Sequence, residues 1–239
     1  MSRDGPEWIV WLVNASCNLR CPYCYASRYL RERPLSTEEA LRVVREASDA
    51  GVEYINFTGG EPLLRRDLFE IVEAALDGGI EVSIFSNLTL LGEEQARRIA
   101  RLGLYVLTSL DGPPEVYEAA KGPGTWRRFL RGIELLKKHG VAFHINIPVS
   151  ELNYARVGEA VKLAAELGAS SISVIPAMPT GRALETGAYI RPSSFLEALR
   201  QAEEAARELG ITVSVWCAPF VASLQWARHL SYGNCRSWS

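Results

Sequence analysis

Short apolar runs alternate with helical stretches six times along this chain, and that rhythm excludes most architectures. The runs are Glu7 to Val13, Tyr54 to Phe57, Val82 to Phe85, Tyr105 to Leu110, Ala142 to Val149 and Ser171 to Ile175. They are short and nearly continuous in hydrophobicity, as strands covered on both faces are. Helices are expected over Ser36 to Ala50, Asp67 to Leu76, Glu93 to Leu102, Thr125 to His139, Tyr154 to Leu167 and Ser193 to Leu209, and a glycine stops most of them. Ser36 supplies a hydroxyl N-cap with acids behind it. Ile211 to Trp216 is a candidate seventh strand. Strands and helices in alternation imply a parallel sheet with right-handed crossovers. The expected fold class is therefore α/β, a partial (β/α)6 TIM-like barrel with parallel strands and an irregular C-terminal tail. A core domain is expected over 1–216 and a tail over 217–239.

Chemistry in such sheets gathers at the C-terminal ends of the strands, and the unusual residues fall there. After the first strand come Cys17, Cys21 and Cys24, spaced C-x3-C-x2-C, with Tyr23 before the last. Thr58-Gly59-Gly60-Glu61-Pro62 follows the second, Ser86-Asn87 the third, Ser109-Leu110-Asp111-Gly112 the fourth, and Pro176 the sixth. Three thiolates in one loop can grip a 4Fe-4S cluster but leave one iron open to an outside ligand. Structural zinc wants four protein ligands, and His139, His144 and His229 lie far downstream. A redox C-x-x-C would leave Cys17 unexplained.

Five cysteines, an odd number with three packed together, make a poor disulfide framework and fit a reducing compartment. With a net charge of −2, nothing steers the chain toward nucleic acid or an anionic membrane. The N-terminus lacks a signal peptide's apolar core, and no run is long enough to span a bilayer. A cytoplasmic protein with no nucleic-acid or membrane partner is expected.

The cysteine spacing after a first strand, with GGEP after the second, resembles the radical S-adenosylmethionine (radical SAM) superfamily from about Trp8 to about Trp216. That resemblance implies that Cys17, Cys21 and Cys24 hold a 4Fe-4S cluster whose open iron takes the amino and carboxylate groups of S-adenosyl-L-methionine (AdoMet). Reductive cleavage would give a 5′-deoxyadenosyl radical that abstracts hydrogen from a substrate. Thr58, Gly59, Gly60, Glu61 and Pro62 match the methionine-binding motif, in which glycines allow close approach and oxygens accept from an ammonium. Tyr23 belongs to the cluster motif. Ser86 and Asn87 would lie near the ribose and methionine parts, Ser109 would face AdoMet, and Asp111 would orient a neighbour or cap the next loop. Asn146 would point toward the ribose, and Ile175 and Pro176 would lie against adenine.

Members often carry an Arg-Gly pair after this point, whereas this chain has Lys121-Gly122. Arg182 then becomes a candidate for the AdoMet carboxylate. His144 is expected as a core histidine. The Pro179-Thr180-Gly181-Arg182-Ala183 loop, SLDG and the tail cysteines Cys217 and Cys235 resemble SPASM or twitch members, which carry further clusters. Such members act on peptides or mature tetrapyrroles and other cofactors, so a peptide or tetrapyrrole substrate and a reductant such as ferredoxin or flavodoxin are implied. The alternative is an iron–sulfur electron-transfer or scaffold protein without AdoMet chemistry, and GGEP argues against it. No catalytic acid or base stands out.

Overall fold

A computed structural model describes residues 5–232 of the 239-residue chain. Its strands are β1 (Trp8–Asn14), β2 (Tyr54–Gly59), β3 (Glu81–Phe85), β4 (Tyr105–Ser109), β5 (Phe143–Val149), β6 (Ser171–Pro176), β7 (Val213–Val215) and β8 (Leu230–Tyr232). Its helices are α1 (Thr37–Asp49), α2 (Leu68–Asp77), α3 (Glu93–Arg101), α4 (Pro114–Lys121), α5 (Thr125–Lys138), α6 (Val157–Glu166), α7 (Arg182–Thr186) and α8 (Pro192–Leu209). The strands follow one another in chain order, and the registers of β1–β4 and of β5–β8 are parallel. No helix among the described residues is long and apolar enough to cross a membrane.

The chain forms two compact units. Among the described residues, one comprises 5–18, 26–107 and 131–141; the other comprises 19–25, 108–130 and 142–232. In the first, Ile9 and Trp11 pair with Ile55 and Phe57, which pair in turn with Val82 and Ile84. Ile55, Phe57, Ile84 and, from α2, Ile71 are fully buried, and each such side chain contributes about 1.5–3 kcal/mol of burial. The alternate positions on the same strands carry Tyr54, Asn56 and Ser83, linked by hydrogen bonds to the Ser83 hydroxyl. The Ser36 cap of α1 is reciprocal: Glu39 N–H donates to Ser36 Oγ, and Ser36 N–H donates to Glu39 Oε2. Gly132 inside α5 leaves room for Leu88, which holds a left-handed φ of 61°.

In the second unit, β5 to β8 are covered by α6 and α8. Ala198, Ala202, Ala205 and Ala206 are buried along α8, and Gly158 of α6 lies where a side chain would press within 3.3 Å of Gln201 O. Tyr117, Trp126 and Phe129 form an aromatic cluster with ring centroids 4.9–5.6 Å apart.

Three features differ from the sequence expectation. No helix is expected between the fourth strand and Thr125, yet Pro114 starts α4, because proline's fixed φ suits a first helical turn. The loop after β6 contains α7. The tail carries a 3-10 turn at Pro219–Ser223 and the strand β8, which pairs with β7. A three-residue strand is too short to show a period in sequence. Cys235 lies outside the described residues.

Candidate functional site

In the first unit, the ends of β1, β2 and β3 are joined through one residue, Glu61, by its carboxylate and its backbone. Glu61 Oε1 accepts from Ser86 Oγ at 2.7 Å and from Leu63 N–H at 3.1 Å, while Oε2 accepts from Asn87 N–H at 2.9 Å. Glu61 and Ser86 are buried. The resemblance implies a carboxylate turned to a ligand; here its acceptors close the turn after β2 onto the turn after β3. A bulge between Leu12 and Asn14 of β1 re-aims the strand end. Asn14 Nδ2 then donates to Glu61 O at 2.8 Å, and Glu61 N–H donates to Ser16 O at 2.8 Å.

The two glycines of the motif answer this packing. Gly59 holds a φ of 132°, and a Cβ there would lie 2.6 Å from Asn14 O. At Gly60 a Cβ would fall 2.0 Å from Ser16 O and 3.1 Å from Cys17 N. The backbone that approaches them is the start of the cysteine loop, so the glycines serve that contact before any ligand. Thr58 and Pro62 are buried beside them. Asn87 Nδ2 donates to Asn18 Oδ1 at 3.0 Å, and Asn18 Nδ2 donates to Thr89 Oγ1 at 2.8 Å. Arg65, paired with Asp67 at 2.8 Å, also donates to Val13 O at 2.9 Å.

The second unit holds the rest of the cysteine loop, 19–25. Tyr23 donates its hydroxyl to Asp111 Oδ1. Lys121 Nζ lies 3.2 Å from Asp111 Oδ2, donates to Ser109 Oγ at 2.8 Å, and reaches Tyr23 Oη at 3.2 Å. The side chains of Lys121 and Asp111 are 2% and 1% exposed. Burial pushes the Lys121 ammonium down, but the Asp111 carboxylate outweighs it and holds the pKa above the usual lysine value. Burial pushes the Tyr23 phenol well up, and Asp111 adds to that shift. The Cys21 thiol is pushed up by burial while Lys121 pulls the other way. Asn153, buried behind the end of β5, donates to Asp111 O at 2.8 Å and to Pro148 O at 2.9 Å.

The remaining expected residues divide. Ile175 and Pro176 are half-buried at the end of β6, in register with Pro148 and Val149. Asn146 is buried and donates to Ser173 Oγ at 2.9 Å. Arg182 donates Nη1 to Cys21 O at 3.0 Å. Lys121, the departure from the Arg-Gly pair, is the cation placed against Ser109 and Asp111. Asn14, Asn18 and Asn153 were not legible as site residues, because each binds a segment remote in sequence. The only local signal was an asparagine near a strand end.

His144 is a core histidine, as expected. Its ring stands 2.7 Å from each of the Ser171 and Ser173 hydroxyls and stacks on Trp216 with centroids 5.0 Å apart. Burial pushes its pKa down to about 4. Its folded pKa lies below the unfolded value, so on acidification the unfolded chain takes up the proton first. The stability held by the neutral ring is full above about pH 6.5 and is lost as the pH falls toward 4. Urea unfolding between pH 7 and pH 4 should show this loss, about 3 kcal/mol at most, and the difference from His144→Gln isolates it.

Cys17, Cys21 and Cys24 form no disulfide among the described residues and are partly exposed. Among the described residues no three His, Cys, Asp or Glu side chains converge on a single ion. A cubane asks for less, since each thiolate ligates its own iron. Three thiols at C-x3-C-x2-C spacing fit a three-cysteine cluster, and within the second unit the buried Lys121 ammonium against Ser109 fits a carboxylate-bearing ligand.

Comparison with known proteins fixes the class. Residues 11–164 match the family model described as the Radical SAM superfamily. The chain is 34% identical over 221 residues to an AdoMet-dependent heme synthase of Methanosarcina barkeri, covering 90% of this chain and 63% of that protein. It is 30% identical over 195 residues to the mycofactocin maturase MftC of Mycobacterium tuberculosis, covering 80% of this chain and 50% of that one. Among solved structures, anSMEcpe with bound AdoMet aligns with a TM-score of 0.74 at 23% identity, over 91% of this chain and 66% of that one. Streptococcus suis SuiB bound to S-adenosylmethionine aligns with a TM-score of 0.73 at 19% identity, over 91% and 49%.

These structural matches show the fold, the parallel α/β partial barrel expected from the strand rhythm. The chain belongs to the radical SAM superfamily. That membership brings a 4Fe-4S cluster and AdoMet as its cofactors and disfavours a plain electron carrier. The chain spans about three-fifths of the length of the heme synthases it matches.

Proposed function

We propose that this chain cleaves AdoMet reductively and uses the resulting radical to abstract hydrogen from a tetrapyrrole substrate. The observation that carries the reading is the cysteine triplet, Cys17, Cys21 and Cys24, inside the matched family segment. A reduced 4Fe-4S cluster held by Cys17, Cys21 and Cys24 would supply the electron for the reductive cleavage of AdoMet. The chain's own residues place the reactants. The three thiolates would hold the cluster. In the first unit, the Gly59–Gly60 backbone offers carbonyls to an ammonium, and Glu61, Ser86 and Asn87 keep that turn in shape. In the second unit, Lys121 with Ser109 replaces Arg182 as our choice for the AdoMet carboxylate, because Lys121 is the buried cation. Tyr23 and Asp111 fix the ammonium's position. Ile175 and Pro176 offer apolar surface to adenine, and Asn146 remains the ribose candidate on β5.

A tetrapyrrole is favoured over a peptide because the heme synthase match is stronger and covers more of the chain than the peptide-maturase match. A low-potential donor of the ferredoxin or flavodoxin type and a cytoplasmic setting complete the proposal. Residues 217–239 would begin a SPASM- or twitch-like extension. The test is anaerobic reconstitution with iron and sulfide, reduction with dithionite, and assay for methionine and 5′-deoxyadenosine. Both products should appear in equal amounts. A fully assembled cluster that leaves AdoMet intact, with and without an iron porphyrin or its precursor, would sink the reading.

A further inference from the structure

The carbonyls of the cysteine loop have a specific partner in α7. Arg182 Nη1 donates to Cys21 O at 3.0 Å, and Arg182 N–H donates to Cys24 O at 3.2 Å. One turn later, Thr186 Oγ1 lies 2.8 Å from Pro22 O and 3.0 Å from Arg182 O, and its single proton serves these two acceptors. Cys24 N–H also donates to Cys21 O at 3.2 Å, which closes the loop into a turn. Three of the four carbonyls between residues 21 and 24 are thus engaged by one short helix. On the side-chain side, Tyr23 is tied to Asp111.

We propose that Arg182 and Thr186 form a clasp that positions the cluster loop and sets the electrostatic environment of the cluster. The inference rests on the cluster assignment made above. Two consequences follow. First, fixing the peptide planes between Cys21 and Cys24 removes conformational freedom that cluster binding would otherwise have to remove. Outer-shell groups that orient ligands in this way typically alter metal affinity by about 10–100-fold. Second, the guanidinium sets a permanent positive charge one hydrogen bond from the backbone of a ligand residue. A nearby positive charge favours the reduced cluster, because reduction adds an electron. Arg182 is therefore a positioning residue and need not touch AdoMet. Lysine at 182 keeps the charge but loses the planar fork.

The experiment compares the reconstituted wild type with Arg182→Gln, Arg182→Lys and Thr186→Val. The readouts are the rate of iron loss to a chelator, the midpoint potential and the electron paramagnetic resonance of the reduced cluster. Arg182→Gln should lose iron about tenfold faster or more and shift the midpoint to a more negative value. Arg182→Lys should lose iron faster while keeping the wild-type potential. Thr186→Val should show a smaller acceleration and no potential shift. Wild-type retention and an unchanged potential in Arg182→Gln would overturn the clasp. Should Arg182→Gln fail to fold, Arg182→Lys and Thr186→Val decide: wild-type retention in both overturns the proposal. If the wild type itself assembles no cluster, the underlying assignment fails instead, and the clasp falls with it.

Discussion

Replacing Cys21 with alanine should abolish both cluster assembly and the appearance of 5′-deoxyadenosine. The far-ultraviolet circular dichroism of the parallel sheet should stay close to that of the wild type. A 4Fe-4S cluster held by three cysteines has no fourth thiol to spare, so two remaining ligands should not retain it. The fold should survive because the apolar core of β1 to β3, with Ile55, Phe57 and Ile84 at its centre, draws nothing from the Cys21 side chain. Iron and sulfide analysis of the reconstituted variant, with product chromatography, makes the measurement. AdoMet cleavage at the wild-type rate by Cys21→Ala would remove the cluster from the mechanism.

Lys121→Met should have the second-largest effect, and it should act on stability and binding together. The variant leaves Asp111 buried with no cation beside it, and breaking a buried pair in this way costs about 3–5 kcal/mol. Urea unfolding would read that loss. Equilibrium dialysis of AdoMet on the cluster-loaded protein would read the binding, which should fall at least about tenfold, the equivalent of one charge-assisted hydrogen bond of about 1.4 kcal/mol or more. The double variant Lys121→Met with Asp111→Leu separates the two effects. Removing both charges should restore much of the stability, because an apolar pair of similar volume can match a buried ion pair. It should not restore binding. Recovery of AdoMet affinity in the double variant would show that Lys121 only neutralises Asp111.

The parts of this protein that were legible in the sequence depend on local pattern. Strands read as apolar runs, although β1 leaves Trp8 and Val10 exposed rather than covered on both faces as expected, and helices read as capped stretches ending in glycine. Less was legible where a side chain reaches a distant backbone. Asn14 and Asn153 look like ordinary residues at strand ends, yet they join the turns after neighbouring strands. The Lys121–Asp111 pair hides behind Pro113-Pro114, where no helix is expected although α4 starts at Pro114. Arg182 suits a carboxylate by its chemistry, and only the folded chain shows its guanidinium turned to Cys21 O. GGEP stands out in the sequence as a ligand-binding motif, and the folded chain gives it a packing role as well. Its glycines yield to the backbone of residues 14–17, and its glutamate faces inward.

That inward glutamate bears on how affinity would be distributed. Because the Glu61 carboxylate already bonds Leu63, Ser86 and Asn87, the turns after β2 and β3 form one preorganised surface. A ligand that settles against Gly59 and Gly60 meets a backbone with its loop entropy already removed. Its binding free energy can then be spent on recognition rather than on ordering the receptor. An alanine scan would nonetheless rank Glu61 among the strongest ligand-binding positions, although its carboxylate works on the protein's own turns.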